Sequence, residues 1–546
     1  MKKNSKKSIL LLSIGGGLFI CLISIYLSRN MLLQSITNKR TTHIEQTYGL
    51  QIHYQNLQMK GCSEITLQGL SIVPDQRDTL LTLQSVNVRL NFWKLLKGNI
   101  EVRNVHMNGL AIAFIKRDSA ANYDFLFSGH HPEATTEPVI ETNYAHRINR
   151  ILNLIYGFFP ENGQLTQLNI TERKDSNFVT VNIPTFTIEN NRFQSTIKIK
   201  EDTLTQQWKA AGEVHTLQAE LFATEKKKVS LPYINRRFGV EVTFDTLYYS
   251  MTKENRTENQ LQLDGKAKVS GLDVFHKALS PEVIHLDRGQ LTYQMNIGKQ
   301  TLELDSTTTV LFNQIKFHPY LRAEKNENQW HFTAATDKSW FPADELFSSL
   351  PKGLFSNLEG IKTSGELAYH FLLDIDFARL DSLKFESELK EKDFRIIEYG
   401  ATSLSKMSEE FVYTAYENGL PVRTFPVGPS WEHFTPLDSI SPLLRMSVMQ
   451  SEDGAFFYHK GFLPDAMREA LIYDLQVERF ARGGSTITMQ LVKNVFLNRN
   501  KNFARKLEEA LIVWLIETEK LTSKERMYEV YLNIAEWGPL VYGIQE

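Results

Sequence analysis

The chain has 546 residues, more than a single hydrophobic core usually organises, so its length points to about two to four domains. Its 61 Lys and Arg balance 63 Asp and Glu, which excludes the basic excess on which nucleic-acid binding depends. Two cysteines, Cys21 and Cys62, exclude a disulfide scaffold and a thiolate metal cluster.

In chain order, the flank MKKNSKK carries Lys2, Lys3, Lys6 and Lys7, and SILLLSIGGGLFICLISIYL follows it without a charge over residues 8 to 27. At the helical rise per residue that run covers a bilayer's hydrocarbon, and the positive flank belongs on the cytoplasmic side. The expectation is a cytoplasmic tail at 1–7, a single transmembrane anchor at 8–28 and the bulk of the chain outside. No small-x-small cleavage site follows in YLSRNMLLQS, so an anchor is favoured over a cleaved signal. Bulky Leu18, Phe19 and Ile20 also argue against acylation of Cys21. A large exported chain without disulfides must be held by its core and is consistent with a bacterial envelope protein; the expected location is the inner membrane, with the bulk of the chain periplasmic.

From about residue 50 to 400 the dominant pattern alternates apolar and polar residues, the signature of strands with one buried face. Val86, Val88, Leu90 and Phe92 alternate in this way, as do Leu291, Tyr293, Met295 and Ile297. Phe238, Val240, Val242 and Phe244 form a further set, and the longest runs from Leu367 through Tyr369, Phe371, Leu373 and Ile375 to Phe377. Turn residues such as DQRD at 75–78 separate them, so many short antiparallel strands are expected. The polar, proline-containing stretch at 129–145 reads as a loop, and His130 and His131 within it as solvated side chains. Residues 67–114 have a rhythm that resembles the N-terminal repeat of AsmA-like envelope proteins. That resemblance implies an elongated sheet with an apolar, lipid-associated groove over 36–128, the equal alternative being a periplasmic β spacer with a closed core; the alternation itself continues the β-rich region over 146–400.

Near residue 400 the texture changes to a proline-containing connector, 401–435, and then to helical periodicity over 436–546. Glu452 and Asp453 in SEDGAFFYHKG fall in a connection between helices, because Pro464 is placed for the first turn of the next one. In RGGSTITMQLVKN, Gly483 and Gly484 permit a turn and Ser485 is the natural N-cap of the helix that follows. Such a helix start can receive an anionic group, although Gly-Gly-Ser alone fits a plain capped helix better. Lys493, Arg499, Lys501, Arg505 and Lys506 supply a cationic cluster suited to a diphosphate or to a solvated face. Arg505 and Glu509 stand four apart in NFARKLEEALIVWLIETEK, where the run ALIVWLI predicts a helix buried nearly all round.

Taken in order, EDGAFFYHKG, GGSTITMQ, RKLEE and KERMYEVYLN resemble the motifs of the peptidoglycan glycosyltransferase domain, glycosyltransferase family 51, found in class A penicillin-binding proteins and monofunctional transglycosylases. The resemblance covers 436–546 and implies a mainly α, lysozyme-like domain after the transmembrane helix and the β-rich antiparallel region. Carried over by position, Glu452 is implied as the general base that deprotonates the acceptor sugar hydroxyl, and Glu509 as the second carboxylate. Ser485, Thr486, Gln490, Lys493, Lys501, Arg505 and Lys506 are implied as substrate-binding. Asp453, Phe456, His459, Gly484, Tyr531 and Asn533 are implied as supporting residues.

The implied substrates are lipid II and the growing glycan strand, with separate transpeptidase and cell-wall synthesis proteins as partners. No cofactor is required by the resemblance, which leaves a divalent cation such as Mg2+ open. Lys501 stands where the family has Arg, and Met489 where it commonly has Gln. The sequence reaches VYGIQE before the pattern is complete, which implies a truncated domain. SLPK at 349–352 and SLSK at 403–406 lack the companions of a transpeptidase site and are read as chance. The alternative to catalysis is an AsmA-like lipid-handling or scaffold protein that binds lipid II without polymerising it.

Overall fold

The structure is a computed structural model that describes residues 4–95, 101–117, 120–126, 143–158, 162–174, 177–202, 204–214, 217–223, 227–231, 234–257, 259–326, 329–417, 419–479, 481–497 and 503–545. Most of the loop expected at 129–145 lies outside them, as do His130, His131, Arg499 and Lys501. Ten α-helices are described: α1 (Asn4–Tyr48), α2 (Phe92–Leu95), α3 (Tyr144–Phe158), α4 (Ile234–Phe238), α5 (Ala343–Phe347), α6 (Pro442–Glu452), α7 (Pro464–Gln476), α8 (Ile487–Val495), α9 (Phe503–Thr518) and α10 (Lys524–Ile534). The expected span at 8–28 falls within α1, although the side chains up to Ile25 are not among those described. Among the described residues, no helix is long and apolar enough to cross a membrane.

The chain divides into two compact units, one built mainly from residues 1–141 and 149–233 and the other mainly from 251–546. In the first, Glu64–Pro74, Leu81–Leu90 and Val102–Arg117 pair antiparallel, as the alternation predicts. Gly163–Lys174, Asn177–Glu189, Arg192–Glu201 and Leu204–Glu213 continue as a meander. Among the described residues, one pairing departs from the all-antiparallel expectation: Val102–Arg117 and Gly163–Lys174 run parallel. Residues 118–162 supply the long connection that a parallel pair needs and a tight turn cannot give. Leu83, Leu90, Val179, Ile188, Ile199 and Trp208 are buried on the inward faces.

In the second unit Gln260–Phe275, Ile284–Ile297, Gln329–Pro342, Lys362–Asp376 and Lys384–Glu398 are the long antiparallel strands. Phe238 departs from its expected alternation, since it closes α4 and is 60 % exposed, with the strand beginning only at Glu241. Leu367 is fully buried where Lys362–Asp376 approaches the helices. The connector folds as a hairpin of Phe411–Glu417 and Leu420–Val427.

The texture change near 400 does not divide this unit. Phe341, Phe347, Leu367, Phe394, Tyr413 and Phe425 share one hydrophobic core with Ile487, Leu491, Ile512, Leu515, Tyr528 and Leu532. Strand residues and helices therefore shield each other's apolar faces from water. In α9, Ile512, Val513, Leu515 and Ile516 are fully buried, in keeping with the charge-free run that predicts an enclosed helix.

Candidate functional site

Pro442 occupies the first turn of α6, and the helix ends at Glu452, so the candidate base projects from a helix terminus and is exposed. Asp453 leaves the helical conformation, with φ −164° and ψ 79°, and turns its carboxylate inward until the side chain is fully buried. Adjacent acidic residues thus meet opposite environments. Asp453 Oδ2 accepts the backbone NH of Ile487 at 3.0 Å, the first residue of α8, and His459 Nε2 lies 2.9 Å from the same oxygen. His459 Nδ1 accepts the NH of Gly461 at 3.0 Å, so the proton sits on Nε2 and is donated to Asp453. A carboxylate at a helix N-terminus also meets the positive end of the helix dipole. Asp453 and His459 therefore fasten the loop after α6 to the start of α8.

Thr486, rather than the expected Ser485, is the N-cap of α8. Its extended backbone, φ −85° and ψ 170°, lets Oγ1 accept Met489 NH at 3.2 Å, while its hydroxyl donates to Gly461 O at 2.7 Å. Thr486 is buried and Ser485 is exposed on the preceding turn. Gly461 has φ +85°, and a Cβ there would lie 2.4 Å from Val513 Cγ1, so both its conformation and its close packing on α9 require glycine. Gly484 backs onto α7, where an added Cβ would lie 3.0 Å from Met467 Cα.

One turn into α8, Gln490 Nε2 donates to Glu452 Oε2 at 3.0 Å and its Oε1 accepts from Tyr531 OH at 3.4 Å. Burial pushes the Tyr531 phenol up to about 12, with the nearby Glu452 carboxylate acting in the same direction. The phenol thus stays a proton donor throughout the working pH range. The predicted residues Glu452, Gln490 and Tyr531 are brought together by three helices.

Glu509 is 2 % exposed on α9 and pairs with Lys506 Nζ at 2.6 Å, one turn earlier, while the ammonium is half exposed. Lys493 and Arg505 are both half-buried. Asn533 is fully buried on α10; its amide oxygen accepts Thr435 NH at 2.9 Å and its NH2 donates to Thr435 O and Glu529 O. It holds the connector rather than a substrate. Phe456 is fully buried against Tyr528 and His459.

Several residues escape reading from sequence. Lys524 Nζ lies 2.7 Å from Glu517 Oε1 and over the Phe456 ring at 4.4 Å, and Thr488 Oγ1 donates to the same Glu517 oxygen at 2.6 Å. Arg526 pairs with Glu529 at 2.6 Å and donates to the carbonyls of Met407, Glu409 and Val427. Helical spacing marks some of these as partners along a helix, but contacts to distant segments carry no local signal. Among the described residues, no three His, Cys, Asp or Glu side chains group to hold a metal ion.

Comparison with known proteins matches residues 418–546 to the transglycosylase family. The biosynthetic peptidoglycan transglycosylase of Paraburkholderia xenovorans is 43 % identical over 112 residues, 20 % of this chain and 46 % of that protein. The protein of the same name from Chromobacterium violaceum is 45 % identical over 112 residues, 20 % and 48 % of the two chains. That of Rhizobium etli is 48 % identical over 109 residues, 20 % and 46 %. The chain thus spans about half the length of the curated relatives it matches. Residues 418–546, which carry the Glu452, Gln490 and Tyr531 cluster, belong to the transglycosylase family.

Proposed function

We propose that this protein is an inverting peptidoglycan glycosyltransferase that polymerises lipid II into β-1,4 glycan with release of undecaprenyl diphosphate. The observation that carries the reading is the exposed Glu452 carboxylate, oriented by Gln490 at 3.0 Å on a helix whose start is itself anchored by Asp453. A carboxylate held open to solvent by a fixed amide can accept a proton from an incoming sugar hydroxyl. The hydroxyl oxygen attacks the anomeric carbon of the lipid-linked chain, and the diphosphate leaves with the bonding electron pair.

In this reading Lys506, Arg505, Lys493 and Lys501 stabilise charge on the departing diphosphate, with Glu509 setting the position of Lys506. Ser485 lines the donor side, while the buried Thr486 caps α8 beside it. A divalent cation such as Mg2+ would arrive with the diphosphate. Residues 8–28 would anchor the protein in the inner membrane with its N-terminus in the cytoplasm, the site in the periplasm and a separate transpeptidase acting on the product.

Polymerisation of lipid II by the full chain, compared with Glu452→Gln, tests the assignment. Removal of the base is expected to slow turnover by about 10²- to 10⁴-fold. Equal glycan output from the variant would sink it, and binding of lipid II without polymer from either protein would favour a non-catalytic, lipid-handling role.

A further inference from the structure

Glu508 stands beside Glu509 in RKLEE but faces away from it, because successive helical residues diverge by about 100°. It is 3 % exposed, and no role for it follows from the chemistry above. Its Oε1 accepts the backbone NH of Asn357 at 2.6 Å, from a loop far back in the β-rich part of the same compact unit. That loop is also held from outside α9. Phe355, Leu358 and Ile361 are buried in it, and Asn357 Oδ1 and O accept the hydroxyl and NH of Thr402 at 2.8 and 3.2 Å. Gly400 packs so closely behind that an added Cβ would lie 2.7 Å from Leu358 C and 2.9 Å from Asn357 O. Burial raises the carboxyl's pKa, while the NH groups of Asn357 and Leu358 and the Asn357 side chain draw it back down.

Further contacts tie the β segment to the helices on either side. Trp514 Nε1 donates to Leu389 O at 3.0 Å, Arg395 pairs with Glu519 at 3.3 Å, and Arg468 of α7 donates to the carbonyls of Leu383 and Asp381. The contact at Glu508 differs from these in lying one residue from Glu509 and two from Lys506.

We infer that Glu508 is a positioning residue: by seating its carboxylate on the buried 355–361 loop, it sets the placement of α9 and so of Glu509 and Lys506. The strand-rich segment is then part of the glycosyltransferase site rather than a spacer before it. This rests on the reading of the site proposed above. A glutamine at 508 keeps an oxygen acceptor for Asn357 NH, whereas a leucine fills similar space and leaves that NH unpaired.

The test measures amide hydrogen exchange over α9 and the 355–361 loop, together with kcat and KM for lipid II, in the full chain carrying Glu508→Leu or Glu508→Gln. The leucine variant is expected to speed exchange at both places by about tenfold and to lower kcat by a similar factor with KM little changed, and the glutamine variant to restore both. Gly400→Ala, whose Cβ presses on the Leu358 and Asn357 backbone and leaves Glu508 itself unchanged, should reproduce the exchange signature and keeps the test valid if the leucine variant does not fold. Wild-type exchange in the leucine and Gly400→Ala variants, or equal impairment by leucine and glutamine, would overturn the inference. A wild-type chain that makes no glycan would count against the proposed function, while the exchange measurement would still decide the role of Glu508.

Discussion

Glu452 and Asp453 are neighbours in sequence with opposite fates, and the cause is the end of α6 between them. Glu452 keeps helical geometry and points outward to Gln490, whereas Asp453 takes extended φ and buries its carboxylate on Ile487 NH and His459. Asp453→Ala would leave both donors buried without an acceptor, so a loss of about 3 kcal/mol in a urea titration is expected. Turnover should fall as well, since Gln490 loses its anchored helix start. The resemblance separates Glu452 as the implied base from Asp453 as a supporting residue, but the two side chains by themselves do not foretell which one is buried. Asp453 is buried through contacts to His459, six positions on, and to Ile487, thirty-four positions on.

At the scale of elements, the helices are held by ionic contacts that cross between them. Glu517 on α9 receives both Thr488 of α8 and Lys524 of α10, with side-chain exposures of 6 % for Glu517 and 18 % for Lys524. Lys524→Met would strand a buried carboxylate, and a destabilisation of about 3 kcal/mol is expected from denaturant unfolding. Adding Glu517→Gln to it should recover part of that loss, which a double-mutant cycle measures directly. Gly461→Ala should also destabilise, because the residue would need a strained φ of +85° and α9 would have to move aside. Helix positions and their apolar faces were readable from periodicity; the N-cap fell one residue later than expected because Thr486, not Ser485, has a buried carbonyl within reach.

For the whole molecule, the shared core of strands and helices predicts that Lys362–Glu398 and α8 to α10 lose exchange protection together as denaturant rises. Earlier exchange of the strands as a separate block would contradict this. Glu508 adds a pH dependence to the same unit. Its folded pKa is raised above the ordinary 4.5, so its contribution to stability is complete below that value and is lost as pH rises through the raised one. Wild type should therefore lose stability relative to Glu508→Gln between mildly acidic and neutral pH, as read from denaturant midpoints. The sequence by itself determined the strand-rich and helical regions and the residues of the four motifs, because periodicity and short spacings are local properties of the chain. Only the tertiary structure decided which carboxylates are buried, that one strand pairing runs parallel, and that the β segment shares the core of the helical domain. Those depend on contacts between residues far apart in the chain, 34 positions for Asp453 and Ile487, 58 for Val105 and Gly163 and 151 for Asn357 and Glu508, for which alternation and helix signals carry no information.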